Sequence, residues 1–132
     1  MENNLKHSEL TETIIKCYYK VYNKLGYGFL EKVYENALII EPKNSRLKGL
    51  AQYPVEVYYD EEKVGQYFAD IFVEEKVILE IKAAESLCEE HELQLINYLK
   101  ATNIEVGLLL NFGKKPEIKR KIFSNQFKSQ MR

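Results

Sequence analysis

Tryptophan is absent, and cysteine (two), proline (three) and glycine (six) are scarce among the 132 residues. With 45% hydrophobic residues, the chain has the apolar material of a folded core, which excludes a disordered tail. Two cysteines exclude a disulfide-stapled miniprotein. Cys17 and Cys88 stand far apart with no C-x-x-C pairing, as reduced thiols of a cytoplasmic protein do. A zinc site built from them with His7 and His91 would match no finger or ribbon spacing. No apolar run approaches the ~18–20 residues that span a bilayer, and the first ten residues carry no apolar signal region, so no membrane partner is expected. Bulk charge is missing too: nineteen basic residues face twenty acidic ones. The length suits a single domain over residues 1–132.

The near-zero total hides two opposite patches. Between Asp60 and Glu92 there are eleven acids and three lysines. From Lys114 to Arg132, seven bases (Lys114, Lys115, Lys119, Arg120, Lys121, Lys128, Arg132) face Glu117 alone.

Hydropathy sets the element order. From Ser8, a candidate N-cap, Leu10, Ile14, Cys17, Tyr18, Val21, Tyr22 and Leu25 recur at offsets of three and four, and Gly26 closes this amphipathic helix. A second helical pattern runs from Phe29 to about Ile40, where Pro42 forbids continuation, and 43–52 reads as loop. The period then becomes two: Val55, Val57 and Tyr59, a turn at Asp60–Lys63, Val64–Val73, a turn at Glu74–Glu75, and Val77–Ile81 form an antiparallel meander. Ser86-Leu-Cys-Glu89 reads as a capping box opening a helix to about Ala101. A strand from Val106 to Phe112 follows, and a basic helix is predicted from Pro116. The order α-α-β-β-β-α-β-α predicts an α/β fold, a mixed four-stranded sheet with flanking helices, in which the strand–helix–strand unit makes its strands parallel.

Glu80 and Lys82, two apart on a strand, share a face. Folding about Glu74-Glu75 brings Asp70 beside Leu79 or Glu80, depending on whether the loop takes two residues or three. Two carboxylates and an ammonium then converge. Like charges facing across strands destabilise a sheet and ask for a cation, and hard oxygen ligands suit Mg²⁺, which binds through one or two carboxylates. Such an ion polarises a phosphate and acidifies water. An E-x-K triplet alone is equally compatible with a surface salt bridge. Two helices add polar groups: Gln94 and Tyr98, four apart, share a face with His91, and Glu31 and Tyr34 share another just after Gly28.

These residues carry a resemblance. Gly28-Phe-Leu-Glu31-Lys-Val-Tyr34 resembles the motif that names the GxxExxY proteins of the PD-(D/E)XK nuclease-like superfamily. Tyr67–Asp70, Ile78–Ala83, His91–Thr102 and Val106–Gly113 are similar to that family in the same order, so the likeness spans roughly Leu10 to Phe123. It implies a restriction-endonuclease-like core. It also implies a catalytic and metal site of Asp70, Glu80 and Lys82, joined by Glu31 from an N-terminal helix, with Gln94 and Tyr98 resembling the Q-x-x-x-Y positioning pair of related nucleases. The chain departs from the family at Glu41-Pro42, which leaves the length of the second helix open.

The leading expectation is a Mg²⁺-dependent nuclease, with Mn²⁺ as a substitute ion and nucleic acid, DNA first, as partner. Asp70, Glu80 and the Ile81 carbonyl would hold the metal, and the basic C-terminal residues would touch phosphates. The rival is a catalytically inactive module of the same fold that binds nucleic acid or protein. Ten tyrosines, a residue favoured at interfaces, are compatible with a homodimer.

Overall fold

The computed structural model describes residues 6–128; of the basic residues singled out above, Arg132 lies outside them. Helices α1 (Ser8–Leu25) and α2 (Glu31–Ile40) precede a three-stranded meander of β1 (Gly49–Tyr59), β2 (Glu62–Val73) and β3 (Val77–Lys82). Helix α3 (Glu89–Lys100) leads to β4 (Val106–Phe112) and β5 (Pro116–Ile122). The sheet has five strands in the order β1-β2-β3-β4-β5, antiparallel throughout except for the parallel pair β3 and β4. The fold is therefore α/β and restriction-endonuclease-like, with one strand more than the sequence suggested.

That extra strand replaces the predicted basic helix. Ile118 and Ile122 alternate with Lys119 and Lys121, a period of two that delivers the isoleucines to the core under α1. Pro116 begins the strand, where a missing N–H costs least, and the lysines suit an exposed sheet edge.

Helix boundaries differ for identifiable reasons. His7, in a left-handed conformation, rather than Ser8 is the N-cap of α1. Helix α2 starts at Glu31, and past Ile40 the chain tightens into a 3₁₀ turn (Glu41–Ser45) that accommodates Pro42 near its start. β1 begins at Gly49, inside the segment read as loop. Helix α3 starts two residues later than a Ser86 cap implies. The preceding segment is pinned in a bent, non-helical path: Asn111 Oδ1 accepts from the Ala84 N–H (2.9 Å), Asn111 Nδ2 donates to the Ala84 carbonyl (3.0 Å), and Glu117 Oε1 accepts from the Leu87 N–H (3.1 Å). Cys88 becomes the N-cap, and its N–H donates to His91 Nδ1 (3.2 Å).

Two cores flank the sheet. On one face α1 and α2 bury Ile14, Tyr18, Tyr34 and Leu38 against Ile71, Leu79, Ile81 and Leu108. On the other, α3 buries Leu95, Tyr98 and Leu99 against Phe72, Ile78 and Leu109. Strand β3 is thus covered on both faces, as a strand in a parallel pair should be. Between β2 and β3 the turn takes three residues, since Val73 pairs with Val77 and Ile71 with Leu79. Glu74 and Glu75 both adopt positive φ (53° and 56°) without glycine. Glu74 offsets that strain by bonding Lys48 twice, through its N–H (2.9 Å) and its carboxylate (2.7 Å).

Two glycines test this packing. A Cβ at Gly107 would lie 2.6 Å from the Leu95 Cδ1 methyl, a side chain able to yield, whereas at Gly113 it would lie 2.1 Å from the Ala84 carbonyl oxygen. Gly107→Ala should cost ~1–3 kcal/mol in denaturant unfolding, within the range for overpacking. Gly113→Ala should cost more, because backbone held by Asn111 cannot retreat. Equal midpoints for the two variants would show that the Ala84 segment is not pinned.

Candidate active site

The turn length settles the register left open by the sequence: Asp70 stands opposite Glu80. Ladder pairing between β2 and β3 stops at Ile71 and Leu79, and side chains take over the backbone groups beyond it. Glu80 Oε2 accepts from the Asp70 N–H (2.8 Å), and Asp70 Oδ2 accepts from the Ile81 N–H (2.7 Å). Each carboxylate uses one oxygen in this crossed arrangement and keeps the other. A strand residue turns its N–H and C=O to the same side, so the Ile81 carbonyl also faces Asp70 rather than β4.

Burial makes the pair electrostatically costly. Glu80 is only 3% exposed. Loss of hydration raises its pKa to about 8, and the neighbouring Asp70 charge pushes the same way. Burial likewise raises Asp70, to about 6, against the opposing effect of the Ile81 N–H. Lys82 lowers both but belongs to none of the ion pairs among the described residues. Its ammonium instead donates to Gln94 Oε1 at 3.4 Å. Tyr98, buried one turn further along α3, has its hydroxyl pushed up to about 12, first by burial and then by Glu80 and Asp70. Gln94 therefore meets Lys82, and Tyr98 lies close enough to the carboxylates to feel their charge.

Glu31 is placed by different means. Gly28 takes φ 110°, a conformation open to glycine, and the loop it forms is clasped by Tyr34. The Tyr34 hydroxyl donates to the Gly26 carbonyl (2.7 Å) and accepts from the Phe29 N–H (3.1 Å), while its ring stacks on Phe112 at 4.2 Å. This sets the start of α2 so that Glu31 Oε2 accepts from the Ala83 N–H (3.3 Å), just beyond Lys82.

Two residues depart from the sequence reading. His91 caps α3 and is not part of the cluster. Glu35, not anticipated, is buried one turn after Glu31 and accepts from Gln52 Nε2 (2.8 Å). Its charge raises both Asp70 and Glu80. The i, i+4 spacing from Glu31 was the available signal.

The C-terminal basic residues do not form one patch. Lys121 pairs with Glu92 (2.6 Å), Arg120 donates to the Lys6 carbonyl, and buried Lys128 donates to the Thr102 (3.1 Å) and Ile104 (2.6 Å) carbonyls. Lys114 and Lys115 are exposed at the β4–β5 turn. That turn lies at the same end of the sheet as Lys82, which pairs with Asn111. Tyr22 donates to the Gly113 and Lys114 carbonyls and holds it.

A sequence profile of the PD-(D/E)XK nuclease superfamily matches residues 8–121 of the chain. No curated protein and no solved structure matches it. Nucleases of that superfamily generally use divalent metal ions. Among the described residues no group of three or more His, Cys, Asp or Glu could hold one. The oxygens that such an ion would find are one from Asp70, one from Glu80 and the Ile81 carbonyl, a sparse set of hard ligands that would leave room for several waters.

The raised carboxyls fix the sign of a pH effect. A group whose folded pKa lies above its unfolded value of ~4 stabilises the fold below that value and loses the contribution as pH rises through the folded pKa. In a chelator, stability should therefore fall between about pH 4 and pH 8. Glu80→Gln keeps an acceptor for the Asp70 N–H and removes the charge. It should exceed the parent by ~1–3 kcal/mol at pH 8 and converge with it near pH 4. Parallel pH profiles in chemical denaturation would show that Glu80 is not strained by its charge.

Proposed function

Because the chain belongs to the PD-(D/E)XK nuclease superfamily, we propose that it is a single-domain, Mg²⁺-dependent nuclease that hydrolyses phosphodiester bonds of DNA in the cytoplasm. The observation that carries this reading is the crossed pair of half-buried Asp70 and buried Glu80, with Lys82 on the strand of Glu80. Accepting those two N–H groups calls for oxygen acceptors but not for the charge that burial penalises.

In this reading Asp70, Glu80 and the Ile81 carbonyl hold the ion. Bound there, a divalent cation neutralises the carboxylates, polarises the phosphate and makes attacking water more acidic. Lys82, oriented by Gln94, directs its ammonium at the phosphate and stabilises charge that develops there, the largest contribution in chemistry of this kind. Glu31 is an auxiliary carboxylate at the start of α2, and Tyr98 presents a neutral hydroxyl beside Glu80. Lys114 and Lys115, at the same end of the sheet, contact backbone phosphates.

Lys82→Ala should abolish Mg²⁺-dependent cutting of DNA and leave Mg²⁺ affinity nearly unchanged in calorimetry, whereas Glu80→Ala should lose both. Retained cutting in either variant, or no Mg²⁺ uptake by the parent, defeats the assignment. Uptake with no cleavage of linear, circular, single-stranded or RNA substrates would favour the inactive binding module. Replacing Lys114 and Lys115 by Ala should flatten the log–log salt dependence of DNA affinity by roughly 0.9 per lost phosphate contact. An unchanged slope would put the DNA path elsewhere.

A further inference from the structure

A groove of about 510 Å³ lies between the β1–β2 hairpin and α3, lined by Val64, Tyr67, Leu93, Gln94, Asn97 and Tyr98 among others. Its volume falls in the range of small-ligand sites, ~300–1,000 Å³. It is continuous with the candidate active site, because Gln94 and Tyr98 belong to both. Tyr67 is 51% exposed, and its ring lies 5.8 Å from that of Tyr98, leaving aromatic surface open to the groove. Val64 and Leu93 are exposed apolar side chains in the same lining.

The lining selects which part of a polynucleotide can enter. It holds no lysine or arginine, and its one charged residue is Glu90, so a phosphate would meet no countercharge there. A nucleobase is uncharged, flat and apolar on its faces, and Asn97 offers an amide with both donors and an acceptor for a base edge. Every base has a π-face able to stack on tyrosine. In duplex DNA those faces are covered by neighbouring pairs, so only an unstacked base fits.

Building on the nuclease reading, we propose that this groove receives one unstacked nucleobase against Tyr67 while an adjoining phosphate sits at Asp70, Glu80 and Lys82. The enzyme then prefers single-stranded or frayed DNA. Fluorescence anisotropy with Glu80→Gln, which should bind without cutting, tests it on a labelled oligothymidylate, its abasic counterpart, and the same oligomer annealed to its complement. Base stacking predicts that oligothymidylate binds roughly 5- to 150-fold more tightly than the abasic strand. Tyr67→Ala should erase that difference and Tyr67→Phe should keep it. Equal affinity for all three ligands, no binding of oligothymidylate, or a base preference that survives Tyr67→Ala overturns the proposal. The two readings fail separately. Cleavage by the parent with no base-dependent binding removes the groove and keeps the nuclease, whereas base-dependent binding lost in Tyr67→Ala without cleavage does the reverse.

Discussion

Where β2 and β3 part, two side chains do the work of a backbone ladder. Asp70 and Glu80 satisfy the N–H groups of Ile81 and Asp70, so the sheet ends without orphaned donors and each carboxylate is fixed to a strand rather than to a loop. This exchange places two anions in a part of the fold where water is scarce. The energetic consequence is a demand for positive charge, visible in the upward shift of both carboxyls. The position cannot relax by moving β3, because Val77–Ile81 are buried between helices on both faces. A cation, or protons at lower pH, is the available relief.

The surrounding elements make that point accessible to side chains from both layers. From the α2 side come Glu31 and Glu35, and from the α3 side Gln94 and Tyr98. Residues that touch no reacting group control these approaches. Tyr34 clasps the Gly26–Phe29 loop and stacks on Phe112, which fixes where α2 begins. Asn111, fully buried, holds the Ala84 segment and thereby delays α3. A tyrosine in the motif Gly28–Tyr34 is thus a packing and hydrogen-bonding element, and the glutamate within the same motif is the group it positions.

Much of this was legible in the sequence where one physical signal dominated. The apolar run of β4 has one reading, and its bounds agree with the structure. The period-two meander and the offsets of α1 were equally plain. Legibility failed where local signals conflicted. Pro116 and five nearby bases suggested a helix start, yet Ile118 and Ile122 needed a period of two to reach the core. Ser86 looked like a cap, but long-range bonds from Asn111 and Glu117 held its neighbours out of the helix. For Glu35 the sequence offered only its i, i+4 spacing from Glu31, because its partner Gln52 is supplied by another element. The pairing of Asp70 with Glu80 rested on a turn whose two glutamates adopt a conformation the sequence does not advertise.

Charge placement then reconciles a near-neutral protein with a polyanionic substrate. The acidic stretch from Asp60 to Glu92 would repel a nucleic acid if it faced it as a block. Instead, Glu80 is buried and Asp70 half-buried, where a bound ion would neutralise them, and Glu92 is paired with Lys121. Of the basic residues, Arg120, Lys121 and Lys128 are spent on internal contacts. What remains positive near the site is Lys82 together with Lys114 and Lys115 beyond β4. Net charge therefore says little about affinity here. A few cations gathered at one end of the parallel strand pair, beside a groove without cations, give the surface a polarity that, in the proposed reading, would draw phosphates to one side of the site and bases to the other.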